Sequence, residues 1–168
     1  IENIDSDEII FLPDKNLGEY IKEKVSNKNI ILWQGFCPVH RQINEEKIRE
    51  LKKSSPDIEF LVHPEAEKVV RDQADFIGST GDIIKYATNS SNKRFFIGTE
   101  EGIMHVLKKK NPDKEFITFK NIVCHDMKKI TLEHVYNALC TGKHQININE
   151  NVRKKAYDAL NNMLLLSK

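Results

Sequence analysis

Ile30-Ile31-Leu32-Trp33-Gln34-Gly35-Phe36-Cys37-Pro38-Val39-His40 is the stretch on which the fold turns. Its opening apolar run is bulky and short, as in a buried strand. Gly35 and Pro38 then break the pattern and leave Cys37 on a loop just past the strand end. A cysteine held there, with a histidine three residues on, suits a metal ligand, a nucleophile or a packed thiol.

The same alternation runs outward in both directions. Upstream, Glu8–Leu12 reads as a short strand ending at Pro13-Asp14. Asn16 is placed to cap a helix carrying Leu17, Tyr20, Ile21 and Val25. Downstream, Asn44 caps a helix with Ile48 and Leu51 inward, and Ile58–Val62 is a strand ending in His63-Pro64-Glu65. Pro64 suits the first turn of a helix, where its missing N–H costs nothing. Asp75–Gly78 is a brief strand, and Ser79-Thr80-Gly81 opens a helix. Arg94–Ile97 is a strand, and Gly98-Thr99 leads into a helix through Leu107. Glu115–Phe119 is a strand followed by the Cys124 loop. Thr131 caps a helix, Gln145–Ile148 reads as a strand, and an amphipathic helix closes the chain. Strand and helix in strict alternation call for parallel sheets with helices on both faces, an α/β fold of three-layer αβα units.

Composition narrows the function. With 26 Lys and Arg against 25 Asp and Glu, the net charge is +1 over 168 residues, so no basic field argues for nucleic acid. Lys108-Lys109-Lys110 ends a predicted helix, where cations suit the dipole. No apolar run reaches the length of a membrane span, and no secretory signal is evident. Three cysteines, odd in number and sparse, argue against a disulfide scaffold and for a reducing, cytoplasmic setting.

The chain also repeats itself. Phe11-Leu12-Pro13-Asp14, Cys37 and Ile43-Asn44 have counterparts in Phe96-Ile97-Gly98-Thr99, Cys124 and Ile130-Thr131. A duplicated unit offering one thiol per copy is one way to build a shared metal centre. Cys140 differs: it continues the apolar face of its own helix and reads as core.

Asp14, Cys37, His40, His63, Glu65, Ser79, Thr80, Thr99 and Cys124 all fall at or just past the carboxyl end of a predicted strand. That edge of a parallel sheet is where ligands bind. The Ser79-Thr80 hydroxyls and the helix N–H groups would suit a carboxylate or phosphate. Cys37 and His40 could form a nucleophile pair; Cys37, Cys124 and two histidines could hold zinc; thiolates could hold an iron–sulfur cluster. The residues by themselves reach a metal-binding α/β protein, with a phosphate-binding domain of inert cysteines as the rival.

Five motifs carry a sharper reading. Pro13-Asp14-Lys15-Asn16-Leu17-Gly18, Trp33–His40, Val62-His63-Pro64-Glu65, Ala74–Thr80 and Met127-Lys128-Lys129-Ile130-Thr131 occur in this order. Together they resemble the quinolinate synthase (quinolinate synthetase A) family over nearly the whole chain. The resemblance implies a transferase of NAD biosynthesis that condenses iminoaspartate with dihydroxyacetone phosphate to quinolinate. It implies a 4Fe-4S cluster acting as a Lewis acid, held by three cysteines, one from each of three similar domains about a pseudo-threefold axis. Cys37 and Cys124 would be two of those ligands. His63, Pro64 and Glu65 would line the iminoaspartate site, with Glu65 the acid–base residue. His40 would contact substrate, and Ser79 with Thr80 would hold a carboxylate or phosphate.

The family's chain is nearly twice as long, and its first cluster cysteine has no counterpart here. By the resemblance, residues 1–40 are the second half of a middle αβα domain, 41–124 a complete third domain, and 125–168 a carboxyl-terminal piece completing the first. Activity would then need an amino-terminal half. A partner enzyme that oxidises aspartate could supply the iminoaspartate. The other reading is a non-catalytic zinc- or cluster-binding module. Asp126 stands where the family often has Asn.

Overall fold

In the computed structural model, residues 1–167 are described. Two compact units divide the chain, one of Asp7–Cys124 and one of Ile1–Ser6 with the residues from His125 onward. Six strands and seven helices are present among the described residues. All four strand pairings are parallel, as the sequence predicts.

In the first unit, β1 (Glu8–Phe11) and β2 (Asn29–Leu32) form a two-stranded sheet bridged by α1 (Lys15–Lys24). Ile30 is buried on one side of it, whereas Ile10, Ile31, Leu12 and Trp33 are exposed. The larger sheet has the order β4-β3-β5-β6, built from β3 (Glu59–Val62), β4 (Phe76–Ile77), β5 (Arg94–Gly98) and β6 (Glu115–Thr118). Its connections are α2 (Glu45–Ser54) before β3, α3 (Lys68–Arg71), α4 (Thr80–Asn89) and α5 (Ile103–Lys110).

Alternation along the strands splits the core in two. Phe60, Val62 and Phe96 face a cluster with Ile48 and Val70, from α2 and α3. Leu61, Phe95 and Ile97 face the opposite cluster with Ile83, Ala87 and Leu107, from α4 and α5. This is the αβα layering that near-continuous apolar strands such as Phe60-Leu61-Val62 require, because both of their faces are covered. The chain leaves β3 toward β4 on one side and leaves β5 toward β6 on the other. The crevice past the carboxyl ends of β3 and β5 is therefore the topological switch point, the place where open parallel sheets bind ligands.

The second unit holds α6 (Leu132–Thr141) and α7 (Glu150–Leu166). Their apolar residues are exposed, among them Leu132, Leu139, Leu160 and Met163.

Several local expectations are corrected. Asp14, not Asn16, caps α1: its carboxylate accepts the Leu17 N–H, and the helix starts two residues earlier, at Lys15. Pro64 lies in a turn closed by Ala66 N–H to the His63 carbonyl, and the helix waits until Lys68. Gly98-Thr99 is followed by a turn, with α5 beginning only at Ile103. Gln145–Ile148 is not a strand; Ile146 and Ile148 are exposed, and no strand among the described residues pairs with that segment. Cys140 is exposed rather than core, since the apolar face of α6 on which it lies is itself uncovered.

Candidate metal centre and acid–base site

Asp14 organises the Cys37 loop. Only 3% exposed, it uses Oδ1 to accept the Leu17 N–H at 2.8 Å and Oδ2 to accept the Cys37 N–H at 2.7 Å. The two loops approach so closely that the Lys15 N–H donates to the Gly35 carbonyl at 2.8 Å. A Cβ on Gly35 would stand 2.4 Å from the Pro13 carbonyl oxygen, so only glycine fits.

The second cysteine is held the same way. Glu100 accepts the Gly102 N–H with one carboxylate oxygen and the Cys124 N–H with the other, at 2.7 and 3.3 Å. After each cysteine the same elements recur at the same offsets: a 3-10 turn (His40–Gln42 and Met127–Lys129), a capping residue (Asn44 and Thr131), and a ten-residue helix. The internal repeat thus extends to backbone chemistry: each copy fixes its cysteine N–H with a carboxylate that also serves the start of the preceding helix. Cys37 and Cys124 are both half-buried and pack against the same hydrophobic cluster.

Beside Cys37 lies a histidine–glutamate group. His40, 7% exposed, places Nδ1 3.0 Å from the Glu65 carboxylate and Nε2 2.9 Å from the Thr99 hydroxyl. The His63 ring stacks on His40 with centroids 4.6 Å apart. His63 Nδ1 accepts the Glu65 N–H at 3.3 Å, which leaves the proton of a neutral ring on Nε2. Asn16, freed from capping, donates to the Glu65 carbonyl at 3.0 Å. Buried Arg71 donates to the carbonyls of Asn16 and Ala66, so the start of α1 and the loop after β3 are clamped together.

The electrostatics follow from this packing. The imidazole of His40 beside Glu65 holds its carboxyl below the usual range, against the opposing effect of burial. Burial lowers His63 from its ordinary value, and the neighbouring His40 lowers it further, so this ring is neutral near pH 7. Burial also pushes the Cys37 thiol up, with the Glu65 charge adding to it and the N–H groups of His40 and Val39 opposing. The proton therefore rests on sulfur and the charge on Glu65.

Ser79 and Thr80 stand at the start of α4, past β4, both exposed. Ser79 forms a reciprocal capping box with Asp82: its hydroxyl and N–H both donate to the Asp82 carboxylate, at 2.6 and 3.1 Å. An incoming anion would have to displace that carboxylate. The structure brings Cys37, His40, His63, Glu65 and Thr99 together, while Ser79 and Thr80 sit at the end of the adjacent strand. The clamping roles of Asn16 and Arg71 and the amide contact of Glu100 went unrecognised in the sequence. An acidic residue at a helix start upstream of each cysteine was the one signal available for Glu100.

The donor chemistry is of the kind an iron–sulfur cluster takes: two half-buried thiols with fixed backbones, and N–H groups of Val39 and His40 bonded toward the Cys37 sulfur. No third such cysteine occurs among the described residues, Cys140 being exposed.

The class is now defined: a parallel α/β protein with a thiol, imidazole and carboxylate group at the carboxyl ends of its strands. Compared with known proteins, residues 1–165 match the model of the quinolinate synthetase A protein family, and the chain belongs to that family. Proteins named quinolinate synthase are similar to it. That of Clostridioides difficile is 52% identical over 97% of this chain and 54% of its own length. Those of Clostridium acetobutylicum and Caldicellulosiruptor saccharolyticus are 50% and 51% identical, over 56% and 55% of their lengths. The chain thus spans about half the length of the curated relatives it matches.

Proposed function

We propose that this chain is the carboxyl-terminal part of a quinolinate synthase, which joins iminoaspartate to dihydroxyacetone phosphate in NAD biosynthesis. The observation that carries the reading is the convergence of Cys37, His40, His63 and Glu65 at the sheet's switch point, within a chain about half identical to proteins of that name. Residues 1–40 would be half of a middle αβα domain, 41–124 a third domain, and 125–168 a piece completing the first. The uncovered apolar faces of the β1–β2 sheet, α6 and α7 support this division. A pseudo-threefold arrangement then requires an amino-terminal half with its own cysteine.

Cys37 and Cys124 would hold two corners of a 4Fe-4S cluster. When bound, the group supplies a Lewis acid that polarises hydroxyl and carbonyl oxygens. Glu65, kept ionised by His40, is the base that takes a carbon- or nitrogen-bound proton and returns it to a leaving hydroxyl. His63 is neutral with Nε2–H to donate, so it orients an anionic substrate without carrying a charge that burial would penalise. His40, with one ring nitrogen on Glu65 and the other on Thr99, acts through the carboxylate it positions. Pro64 shapes the turn that presents Glu65. Ser79 and Thr80 receive a carboxylate or phosphate once Asp82 swings aside.

Turnover by the full-length protein tests this. Iminoaspartate and dihydroxyacetone phosphate should yield quinolinate anaerobically, and Glu65→Gln should lower kcat by roughly 10²-fold or more. Quinolinate production by this chain purified alone would contradict the need for an amino-terminal half. Unchanged turnover in Glu65→Gln would remove Glu65 from the chemistry.

A further inference from the structure

Cys37, His40 and Glu65 each offer a ligand atom, and the three atoms lie within 4.8 Å of one another. This group does not include Cys124. His40 is 7% exposed, and its Nδ1 is buried without a well-aligned hydrogen-bond partner, although it lies 3.0 Å from Glu65. Its Nε2 meets the buried Thr99 hydroxyl at 2.9 Å. A histidine with one nitrogen fixed by a polar neighbour and the other beside a carboxylate, in a group that also holds a thiol, has the arrangement of a metal ligand.

We propose that Cys37, His40 and Glu65 form a binding site for a single divalent transition-metal ion of the zinc type, separate from the cluster and sharing only Cys37 with it. One sulfur, one imidazole nitrogen and one carboxylate oxygen suit zinc or cobalt and not magnesium or calcium. A fourth position stays open to water, as in three-ligand zinc sites. Binding releases the Cys37 thiol proton, while Glu65 is already ionised and His40 binds through Nδ1 as a neutral ring with its one proton on Nε2. The Thr99 hydroxyl, able to donate or accept, turns to accept the Nε2–H. The ion and the cluster exclude each other, so zinc loading blocks cluster assembly.

Anaerobic titration of Co²⁺ into the metal-free full-length protein tests the proposal by absorbance. One cobalt per chain should bind, with a thiolate-to-cobalt charge-transfer band and the visible bands of tetrahedral cobalt. Cys37→Ser should abolish the charge-transfer band. Glu65→Gln, nearly isosteric and therefore able to fold, should weaken binding at least about tenfold, and His40→Gln likewise. Thr99→Val should also weaken it, with Thr99→Ser restoring it. Cys124→Ser should leave the bands in place, whereas it should abolish cluster reconstitution; the two readings therefore fail separately. Bands unchanged in Glu65→Gln and His40→Gln, or lost in Cys124→Ser, would overturn the proposal.

Discussion

The carboxylate of Asp14 grips the backbone N–H of Cys37 at 2.7 Å while its other oxygen caps α1 at 2.8 Å. One buried side chain thus couples a helix start to the cysteine loop. Asp14→Ala removes a cap worth about 0.5–2 kcal/mol and a charge-assisted bond worth about 1.5–3 kcal/mol. Denaturant unfolding of the full-length protein should show a loss of roughly 2–4 kcal/mol, and the purified variant should retain less iron. Asp14→Asn, which keeps an acceptor, should lose less.

Gly35 permits the approach of the Pro13–Asp14 and Cys37 loops. Gly35→Ala sets a Cβ 2.4 Å from the Pro13 carbonyl oxygen, and backbone cannot rotate away as a side chain can. The loops must part, at a cost of about 1–3 kcal/mol. Thermal melts should show the loss, and metal content should fall with it.

Leu61 lies at the centre of the four-stranded sheet and is fully buried between α4 and α5. Leu61→Ala should destabilise by about 2–5 kcal/mol, measured as a lower denaturation midpoint with unchanged slope.

Asp82 has its carboxyl held below the usual 3.8 by the Ser79 hydroxyl and N–H. A carboxylate lowered in the folded state stabilises it above the unfolded pKa, and that contribution is lost as pH falls through the folded value. The stability gap between wild type and Asp82→Ala should therefore be constant near pH 7 and shrink below about pH 4. A gap that widened with acid would contradict the capping box.

Cys140 is exposed, whereas Cys37 and Cys124 are half-buried. Iodoacetamide should modify Cys140 first, as shown by mass spectrometry of the metal-free chain under native conditions. Cys140→Ser should leave iron loading of the full-length protein unchanged.

Much of this was legible in the residues. Apolar runs such as Phe60-Leu61-Val62 mark strands whatever surrounds them, and Asn44 and Thr131 cap their helices as their positions imply. The less readable features depend on partners distant in sequence. Asn16 has the chemistry of a cap, yet its side chain goes to the carbonyl of Glu65, and Asp14 takes the helix start. Ile146 and Ile148 alternate as a strand would, but a strand needs a neighbour to bond. Cys140 follows an apolar stripe, and a stripe is buried only where something covers it. At the site, the strand-end positions of Cys37, His63 and Glu65 were evident. The pairing of His40 with Thr99, residues 59 apart, joins the turn after β2 to the end of β5, a contact that no local pattern encodes.

The most direct measurement is the iron and sulfide content of the full-length protein after anaerobic reconstitution, in wild type, Cys37→Ser and Cys124→Ser, each carrying the Cys140→Ser change. The account predicts about four irons and four sulfides in the parent and loss of the intact cluster in both variants. A full cluster in either one would show that these two cysteines do not share an iron centre.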